Sequence, residues 1–256
     1  VKNNRIRKNK NPFVFVGQFN INTAMKRPIP NGLLVAVEGI DGAGKTSIAT
    51  LLAQWCGERG LGCTISKEPT GLKWGMELRN SAKSGRLPIE RELELFLLDR
   101  KDHVDRCITP SLAEGNIVIL DRYYWSSAAY QGSRGENYHD IIAANEAFAP
   151  KPDLILVLDV DVDAGLQRIR MRGDNPNSFE GKASLMRARN IFLQLAEQNA
   201  NASLIDTSGH MKPTFEKALM IFQRTAIDKI ASSGALHQEM IRVLPRLEWF
   251  EAEVFE

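Results

Sequence analysis

Leu33-Leu34-Val35-Ala36-Val37-Glu38-Gly39-Ile40-Asp41-Gly42-Ala43-Gly44-Lys45-Thr46 carries more structural information than any other part of the chain. Leu33 to Val37 is continuously apolar, the pattern of a strand buried on both faces. Ser47 to Arg59 follows, with Ile48, Leu51, Leu52 and Trp55 at helical spacing. Between strand and helix stands Gly39-Ile40-Asp41-Gly42-Ala43-Gly44-Lys45-Thr46, the pattern of a phosphate-binding loop. Polyphosphate is dense negative charge, and backbone N–H groups surround it where no Cβ blocks their approach. The helix that follows adds the positive end of its dipole. The motif assigns Lys45 to the β/γ-phosphates of a nucleotide and the Thr46 hydroxyl to magnesium. A glycine turn that merely joins strand to helix is the structural alternative, and the strand–loop–helix context speaks against it. The loop specifies nucleotide binding, not the reaction that follows.

Outward from the loop, strands alternate with helices. Gly60 and Gly62 turn the chain into Cys63-Thr64-Ile65-Ser66, a short second strand that ends at Lys67-Glu68-Pro69-Thr70-Gly71. Residues 75–83 suit a short helix, and Pro88 opens a longer one that keeps helical spacing through Leu93, Phe96, Leu97, Val104 and Ile108. Ile117-Val118-Ile119-Leu120 is a third strand, ending in Asp121-Arg122-Tyr123. Ser126-Ser127-Ala128-Ala129-Tyr130-Gln131-Gly132 comes next, then a helix through Ile141, Ile142 and Phe148 and a strand at Leu154–Asp159. Residues 163–172 suit a helix ending in Arg168, Arg170 and Arg172. A polar loop at 173–178, a helix from Leu185 to Ala200, a strand at Ala202–Asp206 and a helix from Pro213 to about Ile230 complete the pattern. Alternation without hairpin signals gives an α/β fold of the P-loop type: a three-layer sandwich whose five-stranded parallel sheet is covered by helices on both faces.

The bounds agree with that. The chain has 256 residues, 43% hydrophobic and 25% charged, with a net charge of +2. That is enough for one large domain and gives no dominant polyanion partner. No apolar run approaches the roughly 20 residues of a membrane helix. The polar N-terminus lacks a signal core. Cys56, Cys63 and Cys107 have no metal-type pairing and suit reduced thiols in a cytoplasmic protein. Residues 1–31 carry seven Lys and Arg and no acid, and read as a basic, disordered leader. A nucleic-acid arm is the alternative there, but stacking aromatics are few. Residues 32–230 form the expected α/β domain. Residues 231–256, with Leu244, Leu247, Trp249, Phe250, Val254 and Phe255 among five glutamates, form a C-terminal extension.

Several charged groups converge on the carboxyl edge of this sheet, where ligands bind in open α/β folds. They are the loop, Glu68, Arg100, Asp121-Arg122 and the arginines near 170. Many cations around a phosphate loop suit phosphoryl transfer, which is mostly positioning and charge neutralisation.

These segments resemble the thymidylate kinase family of nucleoside monophosphate kinases over about residues 33–225. The similarity rests on the loop, Glu68-Pro69, Leu95-Phe96-Leu97-Leu98-Asp99-Arg100 with His103-Val104, Asp121-Arg122-Tyr123, Ser126-Ser127 and Ala129-Tyr130-Gln131-Gly132. Arg168 to Glu180 is similar to the family's lid. The resemblance implies that ATP and magnesium are used to convert dTMP to dTDP, in a homodimer that binds neither nucleic acid nor membrane. It puts Gly39, Ile40, Asp41, Gly42, Ala43, Gly44, Lys45 and Thr46 around ATP, and Thr46 with Asp121 at the metal. Asp41 is assigned to the acceptor's 3′-hydroxyl, and Arg122 and Arg79 to its phosphate. Phe96 is assigned to stacking on thymine and Arg100 to its carbonyl. Glu68, Ser127 and Gln131 go to the acceptor pocket, with Tyr130 crowding the ribose 2′ position. Lys45, Asp41, Arg122, Arg170 and Arg172 are the expected catalytic set. Thr70 stands where relatives often have a second glycine, and Asn177-Ser178 where they have an acid–arginine pair. Another pyrimidine monophosphate kinase and a regulatory nucleotide binder without turnover are the alternative functions.

Taken singly, each residue also has a structural explanation. Phe96 could be core, Arg100 a solvated charge, Asp121 a turn cap, the arginines at 168–172 a solvated face and His103 purely structural. Their joint placement on one sheet edge favours the site.

Overall fold

The strand at Leu33–Glu38 (β1) is buried at every position, so both faces of the sheet around it are covered. The computed structural model describes residues 29–173 and 181–233. Residues 1–28 of the expected leader, the lid tip at 174–180 and most of the C-terminal extension lie outside the described residues. The leader's last residues depart from the disordered expectation: Ile29 is buried in the core and its amide donates to the Gly115 carbonyl at 2.8 Å.

Helix α1 (Lys45–Glu58) leads to β2 (Cys63–Lys67), then α2 (Lys73–Ser84) and α3 (Ile89–His103). A π-helical turn at Val104–Ile108 and α4 (Thr109–Ala113) follow before β3 (Ile117–Asp121). Next come α5 (Tyr124–Gly132), α6 (Tyr138–Glu146), β4 (Leu154–Asp159), α7 (Val162–Met171), α8 (Lys182–Gln198), β5 (Ala202–Asp206) and α9 (Met211–Ser232). The sheet is five-stranded and parallel throughout, in the order β2-β3-β1-β4-β5. The α/β expectation and the five strands hold. One helical expectation changes: the long middle helix runs regularly only to His103. The helix expected through Ile141 and Ile142 is α6, which stops at Glu146, before Phe148, and α5 precedes it over Tyr124–Gly132.

Packing explains the layers. Trp55 of α1 meets Phe222 of α9 edge to face at 6.0 Å, joining two helices over the strands. α5 packs on α6 and α8, and α8 also lies on β4 and β5. The core between sheet and helices is Val, Ile, Leu and Ala, with Trp55, Phe192 and Phe222 as its large fillers. The sheet register then sets the site. Val37 and Lys67 both pair with Asp121, so three strands end side by side and point their following loops to the same edge.

Two glycines hold the loop against its surroundings. Gly39 has φ +133, and a Cβ there would lie 2.2 Å from the Leu158 carbonyl oxygen. Gly42 has φ +84, with the Gly165 carbonyl 2.3 Å from a built Cβ. No side chain fits at position 42 unless α7 moves away.

Candidate active site

A cavity of about 340 Å³ opens at the carboxyl edge of the sheet, lined by loop residues and by β2, α2, α3, β3 and α5. Its size is in the range of small-molecule sites. On the loop side, the Lys45 ammonium donates to the Ile40 carbonyl at 2.7 Å. Burial, then the nearby Arg122 charge, lowers its pKa to about 8. A bound polyphosphate would restore the full ammonium charge by Coulomb attraction. The Thr46 hydroxyl donates to Asp121 Oδ2 at 2.6 Å, bringing the two expected metal ligands together. Among the described residues no group of three or more His, Cys, Asp or Glu could hold a metal unaided. Two adjacent oxygens suit magnesium, which takes one or two protein ligands and completes its shell with phosphate and water.

Beside the loop, Arg122 Nη2 donates to Asp41 Oδ1. The Tyr130 hydroxyl donates to Asp41 Oδ2 at 2.6 Å and accepts from the Asp41 amide at 3.1 Å. The Arg122 guanidinium also sits 5.3 Å from the Tyr130 ring centre. Burial works to raise the Asp41 pKa, but the Arg122 and Lys45 charges outweigh it and hold the carboxyl below its usual value. Across the cavity, Arg79 is anchored by a hydrogen bond to the Pro69 carbonyl. Lys67, between Arg79 and Asp121, also lines the cavity; burial first, then Arg79, lowers its pKa. Lys67 and Arg79 thus add cationic groups beyond Lys45, and Arg122, paired with Asp41, lies between them and the loop.

The far end is built for a flat ring. Phe96 lines it, and Arg100, one helical turn on, is buried to 1% exposure. Arg100 Nε donates to Glu68 Oε2 at 2.8 Å, Nη2 reaches the same oxygen at 2.6 Å, and Nη2 donates to Ser127 Oγ at 3.1 Å. Nη1 donates to Asn145 Oδ1, and the guanidinium lies 5.5 Å from the Tyr123 ring centre. A guanidinium has five N–H bonds; three make hydrogen bonds to Glu68, Asn145 and Ser127, and Nη2 is also ion-paired with Glu68. Glu68 is completed by His103, whose Nδ1 lies 3.0 Å from Oε1.

Not every expected residue is at the cavity. Gln131 is wholly buried and donates to Glu92 Oε1 at 2.8 Å, and is absent from the lining. Its Oε1 has no hydrogen-bond partner among the described residues. Ile40 and Ala43 are buried, so they serve the loop through their backbone. The arginine run separates. Arg168 donates to the Gly42 carbonyl at 3.3 Å and the Thr207 carbonyl at 2.6 Å. Arg170 and Arg172 are both exposed, but only Arg172 lines the cavity. The Asn177-Ser178 departure lies outside the described residues. The Thr70 departure has a clear role: its amide and hydroxyl donate to the Asp99 carboxylate at 2.7 and 2.5 Å, and its hydroxyl accepts from the Leu72 amide at 3.1 Å, fixing the approach to α2.

Sequence reasoning assigned no role to three groups that shape the site: Lys67, Glu38 and Asn145. Lys67 was readable, since a cation next to Glu68-Pro69 at a strand's carboxyl end lies on the ligand edge. Asn145 carried no local signal.

The comparisons with known proteins agree with one another. A family model described as thymidylate kinase matches residues 37–218. The thymidylate kinase of Xanthomonas campestris pv. campestris (strain B100) is 46% identical over 210 residues, covering 82% of this chain and 91% of that protein. That of Xylella fastidiosa (strain M12) is 44% identical over 213 residues, covering 83% and 97%. Among solved structures, the crystal structure of thymidylate kinase from Ehrlichia chaffeensis matches with a TM-score of 0.62 at 27% identity, covering 75% of this chain and 100% of that one.

Proposed function

This chain belongs to the thymidylate kinase family and phosphorylates dTMP to dTDP with ATP as donor, and from that premise we propose how its residues divide the work. Gly39, Ile40, Gly42, Ala43 and Gly44 wrap the donor phosphates with backbone N–H groups, and Lys45 neutralises the β/γ oxygens. Thr46 and Asp121 hold magnesium, which when bound shields charge between the phosphates. The contact between those two side chains supports that pairing.

Arg79, Arg122 and Lys67 take the acceptor phosphate. Asp41 lies between loop and acceptor and orients the acceptor sugar through its 3′-hydroxyl. Tyr130 backs the sugar at C2′ and favours deoxyribose. Phe96 stacks on thymine, Arg100 donates to a base carbonyl, and Glu68 and Ser127 hold Arg100 in place. Gln131 closes that end from behind through its contact with Glu92. Arg172 is the lid arginine aimed at the transferring group, with Arg170 in a lesser role. No covalent intermediate is needed, because in-line positioning and cationic stabilisation supply the catalysis.

The observation that carries this assignment is the cationic lining of one cavity, where Lys45 at the loop is joined by Lys67, Arg79 and Arg122, more positive charge than one polyphosphate requires. A phosphoryl transfer between two anionic substrates needs two anion sites. A switch or motor nucleotidase needs only one.

The kinase domain spans 32–230, with the basic leader (1–31) and the C-terminal extension (231–256) as additions that do not build the site. A cytoplasmic homodimer with no nucleic-acid or membrane partner completes the proposal. No helix among the described residues is long and apolar enough to cross a membrane. A coupled ADP-release assay over dTMP, dUMP, dCMP and dGMP tests the assignment. dTMP should be used best, dUMP less well and dGMP not at all. Equal use of dCMP and dTMP would overturn the roles given to Phe96 and Arg100.

A further inference from the structure

Glu38, the last residue of β1, is buried to 1% exposure. Its carboxylate is engaged by one short segment, the turn from β3 into α5. Oε1 accepts the Tyr123 amide at 2.9 Å and the Ser126 amide at 3.2 Å, while Oε2 accepts the Ser126 hydroxyl at 2.5 Å. Arg122 lies within that turn at φ +74, the left-handed region that costs a side-chain-bearing residue on the order of 1–2 kcal/mol. Its amide is held by the Val37 carbonyl at 3.0 Å, and its Nη1 donates to Ser126 Oγ at 3.3 Å. The Ser126 hydroxyl is therefore a bridge, accepting from the arginine and donating to the carboxylate.

We propose that Glu38 is a positioning residue for acceptor-phosphate binding: its carboxylate, acting through Ser126 and the Tyr123 amide, keeps Arg122 in the strained backbone conformation that presents the guanidinium to the cavity. This rests on the assignment of Arg122 to the acceptor phosphate. The bridge works in one direction only. A carboxylate accepts the Ser126 proton and leaves the hydroxyl's lone pairs to Arg122. A neutral carboxyl or an amide donates to Ser126 instead, and the hydroxyl proton then turns toward the arginine N–H groups.

The charges around this pair are few. Arg122 and Lys45 face Glu38 from the β3–α5 turn and from α1, and the Tyr124 phenol faces it from α5. Arg122 in turn faces Asp41, Asp121 and Tyr130. Burial raises the Glu38 pKa to about 7, against the opposing hydrogen bonds from Ser126 and Tyr123 and the Arg122 charge. The bridge is therefore sensitive to pH near neutrality.

The test uses the full chain and the variants Glu38→Gln, Ser126→Ala and Arg122→Ala. Michaelis constants for dTMP and ATP are measured, with thymidine, which has no phosphate, as a binding probe. Glu38→Gln should raise the dTMP KM about tenfold, the size of one charge-assisted hydrogen bond. Ser126→Ala should raise it severalfold. The ATP KM and thymidine affinity should stay within about twofold in both. In the unaltered protein kcat/KM for dTMP should fall below pH 7 more steeply than titration of the substrate phosphate, near pH 6, explains. Glu38→Gln should keep only the substrate limb. If Glu38→Gln and Ser126→Ala leave the dTMP KM unchanged while Arg122→Ala raises it, the carboxylate is only a cap for α5 and the proposal fails. Equal loss of ATP, thymidine and dTMP binding also overturns it, in favour of a general structural role. If Arg122→Ala has no effect on dTMP, the arginine's own assignment is wrong. Should Glu38→Gln fail to fold, Ser126→Ala decides alone.

Discussion

His103 tests the buried charge network behind the base pocket, because its proton is worth a measurable share of the fold. The ring is fully buried, with Nδ1 3.0 Å from Glu68 Oε1 and Nε2 2.9 Å from Ser66 Oγ. Burial opposes its charge, yet hydrogen bonds with Cys107 and Glu68 and the Glu68 charge outweigh burial and raise the pKa from 6.5 to about 9. At about 1.36 kcal/mol per pKa unit, that gap corresponds to about 3 kcal/mol favouring the folded, protonated state. The sign follows from the raised value. The contribution is complete below pH 6.5, where the unfolded chain is also protonated, and is lost as pH rises through about 9. A domain is stable by only about 5–15 kcal/mol, so the loss is large.

Raw stability against pH cannot isolate this. The Lys45 pKa, lowered from 10.5 to about 8, works in the opposite direction at alkaline pH, because the folded chain releases that proton first. The measurement is therefore a difference. The unaltered protein and His103→Gln, which keeps a donor and an acceptor, are unfolded in urea at about pH 6 and about pH 9.5. The variant should be less stable at the lower pH, and the gap should shrink by about 3 kcal/mol at the higher. Parallel curves, with a gap changing by less than about 1 kcal/mol, would refute the reasoning: His103 would then be neutral in the fold and Glu68 would rely on Arg100 alone.

Three further outcomes follow from the site. Lys45→Ala should lower turnover about 100- to 1,000-fold in an ADP-release assay without loss of the fold, since its ammonium acts on phosphate charge. Arg172→Ala, altering a cavity-lining residue, should lower kcat more than it raises the ATP KM, whereas Arg170→Ala, off the cavity lining, should stay within about threefold by steady-state kinetics. Arg100→Ala should lower the ratio of kcat/KM for dTMP over dCMP by at least about tenfold, because cytosine sets an amino donor against a side chain that only donates. That ratio is insensitive to the fraction of protein folded, which matters because the variant strips Glu68 of its main partner.

How much of this was legible in the sequence depends on whether a feature has a local signature. The loop has one: an apolar strand, glycines where the backbone meets Leu158 and Gly165, and a lysine at the helix start. The five strands were legible for the same reason. Where the middle helix leaves regular geometry after His103, apolar spacing gives no warning, because a π-helical turn still presents Val104, Cys107 and Ile108 inward. The groups that hold the functional side chains were illegible for a different reason. Glu38 and Ser126 are 88 residues apart, and Arg100 and Asn145 are 45 apart. Their pairing exists only once the strands have taken their order.

The arginine run lies between these cases. Helical residues advance about 100° each, so Arg168 and Arg172 share a face and Arg170 points away from it. Taken as one cluster, the three looked like a single lid. Sorted by angle, they separate as they do in the fold, with Arg168 tied to the Gly42 and Thr207 carbonyls, Arg172 at the cavity and Arg170 off its lining. The geometry needed for that sorting was already in the spacing. What the spacing lacked was the position of the phosphate loop, which decides which of the two faces is the functional one.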